Sequence, residues 1–389
     1  MPVLDAIVIG AGIHGLCAAY HLKRLGCARV AIMEQFEIEH SRGSSHGRSR
    51  ITRSSYGNPV YVNLMKVAHG EEWPRLEKDC NSKLIYHCDG CYFGPGARFE
   101  EYVKTVAEHC SGVEEMSVAD AKKRFPMFAF RDARSVLHDR TGGVIAASKT
   151  IRELRRICSE WGIEIFENTT VAKFVYSEND IAVQTNRGTF LSNYLVITAG
   201  PWSAQLLQLP KQPLVPIRQD VGYFELADRG AGAFGRFPVW AYIGDDVNDF
   251  YYGLPEFETP GIKAARHVTD DNCTDMKSHE RNRNDPNITT FPDVQAILQI
   301  QQFLARQLTI PIVKSVGAET CFYTCTPTED YKIGTHPDCT RISIGAGFSG
   351  HGFKLAPVTG RILAELCLRG ASSVDEFTSH SEVFSWGTG

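Results

Sequence analysis

The run Asp5-Ala-Ile-Val-Ile-Gly-Ala-Gly-Ile-His-Gly15 constrains this chain more than any other stretch. An apolar segment of strand type ends at Gly10, glycines recur at Gly12 and Gly15, and Ala31-Ile-Met-Glu34 closes the unit with an acid nineteen residues after the last glycine. Gly10 permits a tight turn off the strand, Gly12 lets backbone approach a pyrophosphate, and Gly15 lets the next helix pack closely on the sheet with its N-terminus toward the phosphates. Glu34 is placed to accept hydrogen bonds from a ribose hydroxyl. Strand, helix and acid together specify a dinucleotide site, and leave open whether the ligand is NAD or FAD.

The 389 residues suggest two structural domains, at roughly 100–200 residues each. With 41 basic against 45 acidic residues the formal charge is −4. That balance offers no field for nucleic acid or an anionic membrane, and fits an enzyme acting on a small molecule. The first apolar run has no basic leader and is cut short by glycines, so it reads as a strand rather than a signal peptide. No run approaches the ~18 apolar residues of a membrane-spanning helix. The expectation is a soluble, intracellular protein. Its 12 cysteines are then free thiols rather than a disulfide framework. Cys88-Asp-Gly-Cys91 has the CxxC spacing but no second pair and no following helix, which argues against zinc or redox chemistry. The sequons at Asn168, Asn272 and Asn287 carry no weight in a reducing compartment.

Further along, Ser41–Gly57 is too rich in Gly and Ser for a regular element, and its arginines suit an anion-handling loop or a solvated surface loop. Apolar spacing predicts helices over Tyr61–Lys78, Phe99–Cys110, Val118–Phe125 and Ser148–Trp161, and strands over Leu84–Phe93, Glu164–Phe166, Val171–Tyr176, Ile181–Thr185 and Leu191–Thr198. Val196-Ile-Thr-Ala-Gly200-Pro-Trp-Ser203 returns the chain toward the nucleotide. Alternating segments from Pro213 to His267 predict an antiparallel sheet that holds substrate. A loop over Asp270–Asn287, a helix over Asp293–Leu308, strands at Cys321–Thr326 and Ile342–Gly345 and a helix over Pro357–Leu368 complete the pattern. The tail shows none.

Several of these stretches together carry a resemblance. The N-terminal fingerprint, Ser41-Arg-Gly-Ser-Ser-His-Gly-Arg-Ser-Arg-Ile51, Val196–Trp202, Cys321-Phe-Tyr-Thr with Thr326-Pro-Thr-Glu-Asp330, and Gly345-Ala-Gly-Phe-Ser-Gly350-His-Gly-Phe-Lys354-Leu-Ala-Pro357 resemble the monomeric sarcosine oxidase family, and most of all its eukaryotic branch of peroxisomal sarcosine and L-pipecolate oxidases. The resemblance spans nearly the whole chain in order. It implies a Rossmann-type FAD-binding domain (1–85, 145–212 and 325–375) and a substrate domain (86–144 and 213–324) built on an antiparallel sheet covered by helices, with 376–389 as a tail. It implies that FAD is the cofactor, held at Gly10, Gly12, Gly15, Glu34, Val171, Gly200 and Gly350 and attached covalently through Cys321. Arg53 and Lys354 match the cations that hold the substrate carboxylate. Lys263 matches the lysine that activates dioxygen, Tyr252 and His267 match polar groups of the same cavity, and Arg50 lies near the flavin ring. The implied reaction is oxidation of a small secondary amino acid to an imine with dioxygen reduced to hydrogen peroxide, in a monomer with no nucleic-acid or membrane partner.

The chain departs from that pattern too. Bacterial members carry two histidines where Ser45-His46 stands, and a threonine at Ser49. The C-terminus lacks a Ser-Lys-Leu-type tripeptide, so a peroxisomal rather than cytoplasmic location is implied by the family alone. Saccharopine-like or fructosyl amino acids are alternative substrates. An NAD-dependent dehydrogenase has no use for Cys321 and would be colourless, and a non-catalytic flavin module would be yellow without turnover.

Overall fold

A computed structural model describes residues 3–207, 214–268 and 291–386; the loop expected over 270–287, the boundary at 212 and the extreme C-terminus lie outside them. Three sheets organise the chain. The first is the dinucleotide unit. Its centre is β1 (Leu4–Ile9), flanked in parallel by β2 (Val30–Met33) and by β12 (Gly188–Ile197), with Ile7 facing Ala31 on one side and Leu195 on the other. All these central residues are apolar and buried, as a parallel strand covered on both faces requires. The sheet extends through β9 (Glu164–Phe166) beyond β2, and through β10 (Val171–Tyr176), β11 (Ile181–Thr185), β18 (Lys332–His336) and β19 (Cys339–Ala346) beyond β12.

The helix Ile13–Arg24 lies against this sheet and against the helix Ala356–Arg369. Gly15 makes the first contact possible, because a Cβ there would stand 1.8 Å from the Gly10 carbonyl oxygen. Gly360 makes the second possible: its Cβ would meet Cys17 Cβ at 2.5 Å.

The second sheet runs β17 (Ile312–Cys325), β13 (Val215–Leu226), β16 (Ile262–Arg266), β15 (Phe250–Leu254), β14 (Val239–Ile243), β5 (Gly90–Gly94), β7 (Ser135–Asp139) and β6 (Val113–Ser117). It is antiparallel except at β14 and β5. Side-chain alternation splits its faces. Tyr251 stacks on Phe303 of the covering helix Val294–Gln307 at 3.9 Å between ring centres, while its neighbour Tyr252 points to the opposite face. The α/β fold with a helix-covered second sheet is the one the sequence implies.

Three expectations need correction. Ser41–Gly57 is not wholly irregular: Ser49–Thr52 forms β3, paired with β8 (Gly143–Ala146), which also carries β4 (Ile85–His87). The stretch 61–78 is not one α-helix but Pro59–Val67, a π turn at Ala68–Glu72 and Trp73–Cys80. Glu72 is buried in that turn between Arg75 and Arg361, and the extra residue per turn lets it face both. The tail has structure, short helices Asp375–Thr378 and Ser381–Phe384 that bury Phe377 and Phe384.

Candidate active site

Between the two large sheets lies a cavity of about 740 Å³. Its nucleotide end is the turn after β1. Gly10 has φ +95, and a Cβ there would meet the Thr198 carbonyl oxygen at 2.5 Å. At Gly12 only the Ser45 hydroxyl comes within reach, at 3.1 Å, so the backbone there stays open to the cavity. Glu34 is buried and accepts from Ala11 N at 2.8 Å through one oxygen and from Phe36 N at 3.0 Å through the other. Oε2 keeps a second lone pair for a ribose hydroxyl, while Oε1 also faces His40 Nε2 at 3.5 Å. Val171, Gly200 and Gly350 line the same cavity. Gly350 has φ +81 and sits so close to Tyr323 that a Cβ would be 2.3 Å from its ring.

The other end is polar and charged. Lys263 on β16 is 5% exposed, donates to the Ser49 carbonyl at 3.2 Å and lies 5.6 Å over the Tyr223 ring. Burial, and then the nearby Arg50, bring its pKa down to about 8. Arg50 on β3 donates to the backbone carbonyls of Ser49, Ser44 and His46 and lies over the Phe353 ring. Cys321 is a free thiol on β17, pushed up by burial against the pull of Arg50 and Lys263. Tyr252 shares a hydrogen bond of 2.9 Å with Tyr323, and His267 lies 3.6 Å from Glu329.

Arg53 and Lys354 meet at one tyrosine. Their charged ends lie 4.8 and 5.1 Å from the centre of the Tyr56 ring, and Arg53 also donates to Tyr102 Oη at 3.0 Å. Lys354 is 7% exposed and donates to Tyr56 Oη and the His351 carbonyl at 3.0 and 3.1 Å. Burial, then Arg53, hold its pKa well below the usual lysine value. Among the described residues neither cation has a carboxylate partner. Trp73, at the end of the π turn, donates its indole N–H to the Lys354 carbonyl at 2.8 Å and fixes that backbone.

Every site residue expected from the sequence lines this cavity except Gly15, which serves the helix contact behind it. Sequence reasoning missed Glu319 and the tyrosines Tyr56, Tyr92 and Tyr102 around Arg53. Glu319 had a signal: it stands two residues before Cys321 and so on the same face of a strand. The tyrosines had none, because three separate segments bring them together.

The residues fit FAD. Its pyrophosphate matches the open backbone at Gly12, its ribose the free lone pair of Glu34 Oε2, and the cavity continues without a break to the cations and Cys321. Fold and site thus define a flavoenzyme, and the chain belongs to the FAD dependent oxidoreductase family, whose profile matches residues 5–366. Within it the chain stands with the sarcosine oxidases: it is 36% identical to peroxisomal sarcosine oxidase of Mus musculus, over 95% of this chain and 94% of the relative. Monomeric sarcosine oxidase of Arthrobacter sp. is 28% identical over 95% of this chain and 94% of its own length. Among solved structures NikD, an unusual amino acid oxidase essential for nikkomycin biosynthesis, superimposes with a TM-score of 0.81 at 20% identity, covering 99% of this chain and 98% of that one. No helix of the described residues is long and apolar enough to cross a membrane.

Proposed function

We propose that this chain oxidises a small secondary amino acid, of the sarcosine or L-pipecolate kind, to an imine, with dioxygen reduced to hydrogen peroxide. One observation carries the reading: Arg53 and Lys354, two cations at one tyrosine, lack any acid among the described residues and face a cavity beside Cys321. A substrate carboxylate supplies that missing charge, at roughly 1.5–3 kcal/mol per charge-assisted bond. Tyr92 lines the cavity beside Arg53, and that aromatic surface favours a short, apolar body over saccharopine-like or fructosyl amino acids.

FAD, joined through the Cys321 sulfur, supplies the two-electron acceptor. The chain's own residues orient and polarise. Arg53 and Lys354 aim the amine and its adjacent C–H by holding the carboxylate. Tyr252 and His267 line the place where the amine stands. Lys263, charged below about 8, presents a positive charge where dioxygen would be reduced, and Arg50 presents a second. Among the described residues the groups beside the amine are Tyr252 and His267 and no carboxylate, so the amine reacts in its neutral form and the anaerobic rate of flavin bleaching rises with pH.

In this reading 1–85, 145–212 and 325–375 form the dinucleotide-binding unit and 86–144 and 213–324 the second unit, and both contribute to the cavity: Arg53 and Lys354 come from the first, Lys263 and Cys321 from the second. The named relatives support a peroxisomal monomer. The test is anaerobic bleaching with sarcosine, L-pipecolate, L-proline and saccharopine, followed by acid precipitation. Bleaching by the first two and a yellow pellet are expected, with the colour moving to the supernatant in Cys321→Ser. No bleaching by any secondary amino acid refutes the reaction, and a colourless wild-type pellet refutes the tether.

A further inference from the structure

We infer that Glu319 is the counter-ion that keeps Lys263 charged at the reacting end of the cavity, a positioning residue for the reduction of dioxygen; this rests on the reading of Lys263 given above. Among the described residues three acids line the cavity, and two of them, Glu34 and Glu39, belong to the nucleotide end. Glu319 is the one at the end that holds Arg50, Lys263 and Cys321.

The sheet register places it there. Glu319 on β17 pairs with Val221 of β13, and Tyr223, two residues on along β13, pairs with Lys263 of β16. Glu319 and Lys263 therefore reach over the same face from either side of β13, with Tyr223 between them. The Lys263 ammonium lies over the Tyr223 ring, and the buried Tyr223 hydroxyl has no hydrogen-bond partner among the described residues. That hydroxyl is pushed up by burial and next by the Glu319 carboxylate. Arg50 comes from the opposite wall. A Cβ added at Gly47 would lie 3.0 Å from Glu319 Oε2 and 3.3 Å from Arg50 Nη1, so carboxylate and guanidinium face each other across the width of one glycine.

The charged and titratable groups around Lys263 are thus Arg50 on β3, Tyr223 on β13, Glu319 and Cys321 on β17, and His46 in the loop before β3. Burial and Arg50 both drive the lysine toward its neutral form. His46 is itself neutral, brought down to about 4 by burial and then by Arg50. Glu319 works in the other direction on both. A lysine that must carry charge in a dry site beside an arginine needs such a partner. Glu319 does this without a direct ion pair, which leaves the ammonium free to face the reacting atoms.

The experiment uses the FAD-loaded enzyme and E319Q and E319D. Sulfite, a nucleophile that bleaches flavin and is held more tightly by positive charge near the ring, is titrated across pH in each protein; no amino acid is needed, so the result stands apart from the substrate assignment. Reoxidation of the photoreduced enzyme by dioxygen is followed over the same range. The expected result is that the limb set by Lys263, near 8 in the parent protein, moves down by about one pH unit in E319Q in both measurements, the scale of one charge acting through a half-polar site. At about pH 6, E319Q binds sulfite roughly tenfold more tightly, because one opposing charge is gone. E319D, which keeps the carboxylate one methylene further back, shows a smaller shift of the same sign, and carries the test if E319Q fails to hold FAD. Coincident limbs in the parent protein and both variants, with equal sulfite affinity, overturn the inference and leave Glu319 a solvated carboxylate at the cavity edge.

Discussion

Replacing Lys354 by methionine tests the carboxylate clamp and separates its binding role from its cost to the fold. The lysine is buried, its Nζ is held by a tyrosine hydroxyl and a backbone carbonyl, and Arg53 repels it. Losing one charge-assisted bond to a carboxylate of about 1.5–3 kcal/mol weakens binding by about 10- to 150-fold. The readout is the affinity for propionate, a carboxylate without an amine, followed by the flavin spectrum. Because the pKa of free Lys354 is depressed, a bound carboxylate draws a proton onto it, so wild-type affinity tightens as pH falls and the slope flattens in K354M. Stability changes in the opposite sense. The folded state holds this lysine's pKa below its unfolded value of 10.5, so the penalty is full below the folded pKa and fades as pH rises toward 10.5. K354M therefore melts higher than wild type at neutral pH, and the difference shrinks in alkali. A variant that binds propionate as tightly as wild type, with the same pH slope, would falsify the clamp.

Trp73→Phe removes the indole donor and leaves the buried Lys354 carbonyl unpaired; about 1–3 kcal/mol of stability is lost, and KM for the amino acid rises more than kcat falls. Gly350→Ala forces a Cβ against the Tyr323 ring at a left-handed φ and costs about 1–3 kcal/mol on the backbone alone, visible as a lower Tm and poorer FAD retention. Reoxidation by dioxygen slows as pH rises through about 8, where Lys263 loses its proton, and K263M removes that limb in a stopped-flow experiment.

What could be read from the sequence was whatever is local. The turn from Gly10 to Gly15 and the acid at Glu34 lie within one βαβ unit, and their spacing alone set the nucleotide end. Tyr252 and Lys263 came from the resemblance and not from periodicity: Ile262-Lys263-Ala264-Ala265 is buried at every position. Strand β3 escaped notice because its partner, Val144-Ile145, lies some ninety residues on, and Ser49-Arg50-Ile51-Thr52 has no alternation of its own. The π turn escaped because Glu72 is buried for the sake of Arg361, in a helix near the far end of the chain. Around Arg53, three tyrosines from 56, 92 and 102 converge by tertiary packing, which no periodicity encodes.

Strand β17 ends the order of the second sheet and pairs only with β13 among the described residues. An edge strand is the part of a sheet that peels first and recruits stray partners most readily. Its first half, from 313 to 318, is exposed, whereas the half that carries Cys321 is the wall of the cofactor cavity. A cofactor joined at Cys321, as proposed, would be a rivet as well as a reagent: it would fasten the loose margin of the second sheet to the dinucleotide unit. If the proposed bond forms, amide exchange from 319 to 325 should slow on loading while 313 to 318 stays open.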